Sequence, residues 1–230
     1  LTFFDSNLLR SGEYHDWLVQ GFITSLQLLG ASFVIALPLG VAIALMRTAH
    51  SRVLRGIGAS LVEGIRNVPL LAHLLFWYFA FPELLPESVK LALYDSNPEF
   101  ICATIALALY AGVHMAEDIR SGIRAVPAAQ MEAARSLGLG RLASLRLVLL
   151  PQAIRIAVPP LLSQTVNLWK DTSVATVIGA AEMMYQAARV ETATFRSVEA
   201  FTFATLAYLT VSLAISLAAQ LYARRFPVRT

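Results

Sequence analysis

Long apolar stretches separated by short charged ones set the pattern of this chain. A helix that crosses a bilayer needs about 20 mostly apolar residues, and five stretches meet that demand. Gly21 to Met46 carries no charge and ends at Arg47. A second runs from Ile57 to Phe81, apolar in its outer half (Val68 to Phe81) but holding Glu63 and Arg66 nearer its start. The third covers Phe100 to Ala116. The fourth, Ile154 to Ala181, contains Pro159-Pro160 and Lys170-Asp171, which predict a broken helix. The fifth, Phe201 to Tyr222, is uninterrupted. The pattern predicts an all-α membrane protein with five transmembrane helices in a single domain, residues 1–230.

Composition agrees. The chain is 57% apolar and only 14% charged, with a mean hydropathy of +0.63, whereas soluble domains carry roughly 25% charged residues. Of 18 cations 16 are arginine, and their placement gives the orientation. Arg47, Arg52, Arg55, Arg120, Arg124, Arg135, Arg141, Arg146, Arg155, Arg224, Arg225 and Arg229 fall on one side, against Arg10, Lys90, Arg189 and Arg196 on the other. The first side is expected to be cytoplasmic, with the N-terminus outside and the C-terminus inside. Asp5, Arg10, Glu13 and Asp16 are the wrong composition for a cleavable signal peptide. Outside, Pro82 to Glu87 reads as a proline-bracketed turn, and Met183 to Arg196 as a helix lying against the outer face.

The single cysteine, Cys102, sits in an apolar setting and reads as a packed thiol. His15, His50, His73 and His114 do not fall at ligand spacing, so no metal site is expected. No basic stretch is interleaved with aromatics as a nucleic-acid surface requires.

The segment 125–151 carries the most information. Pro127 suits a first helical position, strong helix formers follow from Ala128 to Leu137, and Gly138 then Gly140 supply a left-handed stop. The result is a helix of about three turns, too short to stand alone in water. It either packs on its own protein's inner face or docks into a partner. Glu132-Ala133-Ala134, three residues, Gly138, nine residues, then Val148-Leu149-Leu150-Pro151 resembles the EAA loop of binding-protein-dependent ABC permeases, with Val148 in place of the family's Ile. Glu63 to Leu71, Ala116 to Ile123 and the run Asn167-Leu168-Trp169-Lys170-Asp171-Thr172-Ser173 with Val177-Ile178-Gly179 are similar to stretches of polar amino-acid permeases. Arg66-Asn67-Val68-Pro69 with Trp77-Tyr78 and Pro82 to Glu87 looks most like glutamate/aspartate permeases. His114 and Asp118 depart from the family's Tyr and Ile.

The resemblance implies a type I ABC importer permease in a bacterial cytoplasmic (inner) membrane. Gln130, Glu132, Ala133, Ala134 and Gly138 would belong to a coupling helix seated on an ATP-binding subunit dimer. That dimer would hold ATP and Mg, with no cofactor on this chain. A second permease subunit, a sister chain rather than a second copy, and an extracytoplasmic amino-acid-binding protein complete the implied assembly, surrounded by membrane lipid. No nucleic acid is implied.

Ionisable groups at membrane depth suggest function by default. Arg66, His73, His114 and Lys170 are the cations able to meet a second substrate carboxylate, and Thr172 and Ser173 flank Lys170 at the expected break. Structural pairing is the competing reading. Glu63 with Arg66, three apart on one face, and Lys170 with Asp171 or Glu117 are the candidate pairs. Glu117 and Asp118 also have inner-edge arginines such as Arg120 within sequence reach. The absence of a G-x-x-x-x-G-K-[ST] loop requires an outside energy source, since Val89 precedes Lys90 and Trp169 precedes Lys170. A membrane-embedded hydrolase would need H-E-x-x-H or G-x-S-x-G, and neither occurs. A self-sufficient secondary transporter fits poorly with five spans lacking an internal repeat.

Overall fold

A computed structural model describes residues 12–227, and these are helical almost throughout, with no strand among them. Asp5, Arg10 and Arg229, used above for composition and charge, lie outside the described residues. Four helices are long and apolar enough to cross a membrane: α1 (Glu13–Thr48), α5 (Pro98–Arg124), α7 (Arg141–Ile178) and α9 (Ser197–Arg225). They correspond to the first, third, fourth and fifth apolar stretches.

The second stretch is not one helix. It divides into α2 (Arg52–Arg66) and α3 (Leu70–Leu84). Only α3 is apolar enough to count toward a span, and its length is about 22 Å at 1.5 Å per residue. The cause is local. Pro69 lacks an N–H and pushes Val68 out of helical conformation, while Asn67 Nδ2 donates back to the Glu63 carbonyl at 2.8 Å and closes α2. Helix α3 passes from α-helical (Leu70–Leu75) through a π segment (Phe76–Ala80) to a 3₁₀ turn (Phe81–Leu84). Pro82 lies at the start of that 3₁₀ turn, where the turn itself does not use the N–H that proline lacks. The expected turn shrinks to Leu85-Pro86, followed by α4 (Glu87–Tyr94). Lys90 donates to Glu83 at 2.6 Å, and that hydrogen bond holds the exposed ammonium above the usual lysine range.

Helix α5 is the axis of the bundle. Its buried residues are mostly small, including Ala103, Ala106, Ala108, Ala111, Gly112 and Ala116. Without a hydrophobic force between helices in lipid, small residues allow the close approach that dispersion requires. Helix α1 answers with Ser25, Ser32, Ala36, Gly40 and Ala44 on its buried side. A Cβ on Gly122 would meet Ala157 Cβ at 2.8 Å and the Ala153 carbonyl at 2.9 Å, so α5 and α7 are equally close. Cys102 is buried in this axis, in keeping with a packed thiol.

Pro159 and Pro160 do not break their helix. The stretch Leu150–Asp171 is continuously α-helical through both, held by Ala153 and Ala157 buried before the pair and Gln164 and Leu168 after it. Proline within a membrane helix survives when neighbouring packing fixes the axis. The change comes later: Thr172–Ile178 tightens to 3₁₀ and stops at Gly179, φ +83°. The next helix, α8 (Met183–Thr194), forms where expected and packs Met183, Ala187 and Val190 against Leu18, Ala200 and Ala204.

Candidate coupling helix and membrane-depth charges

Helix α6 (Ala128–Ser136) begins one residue later than its proline suggested, with Pro127 at the cap position. It ends in a closed hydrogen-bond motif. Gly138 N–H donates to the Arg135 carbonyl at 2.9 Å and Leu139 N–H to Ala134 at 3.1 Å, with Gly138 at φ +82°. This is the paired Schellman arrangement, and it needs a left-handed residue where only glycine is unstrained. Ala134 is buried, and α6 rests on the Arg141–Leu149 part of α7. Gln130, Glu132, Ala133 and Gly138 are exposed. Leu137 is 83% exposed and Leu142 78%. One side is thus seated on the chain itself and the other is open, with two leucines bare beside it.

The charges at the arginine-rich end group around Glu117. Arg120 Nη2 donates to Glu117 Oε2 at 2.6 Å. Arg47 Nη1, at the end of α1, lies 3.0 Å from Oε1, close enough for an ion pair but without hydrogen-bond alignment. Glu117 is therefore taken up by two arginines, and the pairing of Lys170 with Glu117 does not form. Asp118 has no ion pair of its own; it is within electrostatic reach of His114 and Arg66.

The Glu63–Arg66 ion pair is also absent. Glu63 Oε2 accepts from Asn67 Nδ2 at 3.2 Å instead, because Asn67 caps α2 one position beyond Arg66. Arg66 is exposed and within reach of Glu117 and Asp118. Lys170 is exposed and acts electrostatically on Asp171 beside it, with no direct bridge. Thr172 is buried and its hydroxyl donates to the Trp169 carbonyl at 2.7 Å; the Ser173 hydroxyl donates to the Lys170 carbonyl at 2.7 Å.

The two candidate histidines come together across Tyr110. His114 Nδ1 donates to the Tyr110 carbonyl at 2.8 Å, and its ring lies 4.7 Å from the tyrosine ring. His73 meets Tyr110 edge-on at 5.9 Å, and its Nε2 donates to the Ile65 carbonyl at 3.1 Å across the α2–α3 joint. His73, Tyr110, His114, Asp118 and Arg66 thus connect α2, α3 and α5, and Asp171 on α7 is within reach of His114.

One functional-looking group escaped the sequence reading. Glu182 is fully buried without a cation. It accepts from Ser25 Oγ (3.2 Å), Tyr208 OH (2.7 Å), the N–H groups of Met184 and Tyr185 (2.9 Å each) and Thr176 Oγ1. Five donors drawn from α1, α9 and both sides of the α7–α8 turn stand in for a counter-charge. The available signal was a carboxylate one residue ahead of a helix, the position of an N-cap.

Residues 36–227 match the family described as binding-protein-dependent transport system inner membrane component. The chain is 35% identical over 216 residues to the glutamate/aspartate import permease protein GltJ of Escherichia coli K12, covering 92% of this chain and 88% of that one. It is 36% identical over 217 residues to the probable glutamine ABC transporter permease protein GlnM of Bacillus subtilis, covering 94% and 92%. Among solved structures, a crystal structure of an amino acid ABC transporter with histidines superposes with a TM-score of 0.80 at 32% identity, over 92% of this chain and 95% of that one. The chain belongs to the family of binding-protein-dependent transport system inner membrane components.

Proposed function

We propose that this chain is one of two permease subunits of an ATP-driven importer of polar amino acids, with glutamate or aspartate as cargo. It crosses a bacterial inner membrane five times, with α2 and α3 together making the second crossing. Its N-terminus is outside and its arginine-rich end cytoplasmic. A sister permease faces it, an extracytoplasmic binding protein delivers the cargo, and two ATPase subunits hold the ATP and Mg that this chain does not bind.

The observation that carries this reading is α6, fixed to its own chain through Ala134 and open on the side of Gln130, Glu132 and Ala133. A nine-residue helix with a rigid glycine stop and bare leucines beside it fits a cleft in a partner. ATP closes the ATPase pair, the coupling helices approach each other, and the spans turn from inward-open to outward-open. The bias comes from the different contact that α6 makes with two ATPase states. Along the path, Arg66, His73, His114 and Lys170 are the cations offered to substrate carboxylates.

Asp118 and Asp171 favour a second reading. Neither has an ion pair, and both lie near His114, which suits a substrate of the glutamine, arginine or histidine type. Binding assays on the whole complex with glutamate, aspartate, glutamine, arginine and histidine decide between the two cargoes. The subunit assignment is tested by pull-down from cells expressing the complex. Wild type brings down an ATPase subunit and Glu132→Lys brings down less; equal recovery counts against α6 as the handle.

A further inference from the structure

We propose that the face of α7 carrying Ser163, Asn167 and Lys170 binds the ammonium and carboxylate that every amino acid holds on its α-carbon. Asn167 accepts from the ammonium and Lys170 donates to the carboxylate. The proposal deepens the amino-acid reading above and rests on it. Between residues 156 and 171 of α7, Ser163, Asn167 and Lys170 are the exposed ones, and all three are polar. They fall within an arc of about 60° and a rise of about 10 Å on the helix. The remainder of this stretch packs on α5 and α9, with Gln164, Leu168 and Trp169 buried. A face at membrane depth whose exposed residues are all polar is not a lipid face, since uncovered polar groups are costly in hydrocarbon. Lys170 also argues against a dry contact with another helix. It is a cation that, among the described residues, has no ion pair, and such a charge is costly to bury. Water and a polar ligand suit it.

Hydrogen bonding along this face sets its polarity. The Ser163 hydroxyl donates to the Pro159 carbonyl at 3.3 Å. Asn167 Nδ2 donates to Oε1 of the buried Gln164 at 3.3 Å, while Asn167 Oδ1 has no donor among the described residues. Two oxygens are thus left as acceptors, and the Lys170 ammonium follows one turn on. Side chains on a helix lean toward its N-terminus, so Lys170 leans over the turn that holds Asn167. Acceptor and cation within one turn match an ammonium and a carboxylate joined to one carbon. A simple anion would use Lys170 alone, and a simple cation Asn167 alone. Gln164 is then a positioning residue, since it fixes which edge of the Asn167 amide is free. Selection among side chains falls to other residues, because the α-carbon groups are the same in every amino acid.

The test uses the complete transporter in detergent, without its binding protein. Competition binding of glutamate and of glutarate, the same dicarboxylate without the ammonium, measures what the ammonium contributes. Wild type is expected to prefer glutamate. Asn167→Ala should lower glutamate affinity about tenfold, the effect of one hydrogen bond to a charged group, and leave glutarate affinity unchanged. Asn167→Asp should keep the preference, and Gln164→Leu should reduce it by less than Asn167→Ala does, again without a change for glutarate. An unchanged preference in Asn167→Ala overturns the proposal. So does an equal loss for both ligands, which would make Asn167 structural. With Cys102 buried, Ser163→Cys should react with a hydrophilic thiol reagent, and glutamate should slow the reaction. No reaction would place this face against the sister permease and overturn the proposal. Should the complex hold glutamine, arginine or histidine in place of glutamate, the same comparison is made with that amino acid and its deamino counterpart. A wild-type complex that holds no amino acid fails the underlying reading, a result distinct from an unchanged preference in the variant.

Discussion

Gly40 and Gly112 meet backbone to backbone: a Cβ on Gly40 would lie 2.9 Å from the Gly112 carbonyl oxygen, and one on Gly112 would lie 3.2 Å from that of Ala36. This crossing fixes the distance between α1 and α5, against which α2, α3 and α7 also pack. Gly40→Leu should therefore destabilise by about 1–3 kcal/mol or more, since backbone cannot yield as a flexible side chain does. Gly30, also on α1, has nothing within 4 Å of its would-be Cβ, and Gly30→Ala should leave stability unchanged or slightly raised. Thermal unfolding of the two variants in detergent checks the contrast.

Glu182 should be intolerant of neutral replacement. Glu182→Ala strands buried donors on α1 and α9 and around the α7–α8 turn, a loss of about 3 kcal/mol or more. Tyr208→Phe removes one donor and leaves the rest, so its cost should be about 1–3 kcal/mol. The ranking Ala at 182 worse than Phe at 208, read from unfolding midpoints, is the expected outcome; the reverse order would show that the carboxylate is not the hub.

Gly138→Val tests the end of α6 on conformation alone. Open space surrounds this glycine, so the valine meets no neighbour, but φ +82° costs a β-branched residue roughly 1–2 kcal/mol or more. Membrane insertion should persist while uptake per ATP hydrolysed falls several-fold. Normal uptake in this variant would show that the glycine stop is not needed for transmission.

Lys170→Ala should raise the substrate concentration required to stimulate ATPase activity by about tenfold, the effect of losing one charged hydrogen bond to a carboxylate. Because Lys170 makes no ion pair with Glu117 or Asp171, folded yield should not change. A fall in yield with an unchanged substrate requirement would mark Lys170 as structural.

The apolar stretches could be read from the sequence because lipid imposes one demand along the whole span, and four of the five emerged as single helices. The second stretch misled because apolarity is blind to backbone chemistry: Asn67-Val68-Pro69 divides a run whose hydropathy looks nearly continuous. Pro159-Pro160 misled in the opposite sense, since the packing of Ala153, Ala157 and Leu168 that keeps that helix whole is invisible locally. Gly138 was legible because a helix stop is a local event. The Glu117–Arg120 pair was legible too, being three residues apart on one helix; the contact of Glu117 with Arg47 and the whole setting of Glu182 were not, because those partners come from other helices. Glu63 and Arg66 have the spacing of a pair, yet Asn67, one residue further, captured the carboxylate.

The joint at Pro69 has a mechanical consequence. No backbone hydrogen bond passes over the proline, and among the described residues the bond that does is the one from the His73 ring to Ile65. The pair α2 and α3 is accordingly a knee and not a rod. What fixes the angle there is packing rather than backbone: Leu70 and Leu74 anchor α3 in the core beside Ala103 and Leu107, and the imidazole ties it back to α2.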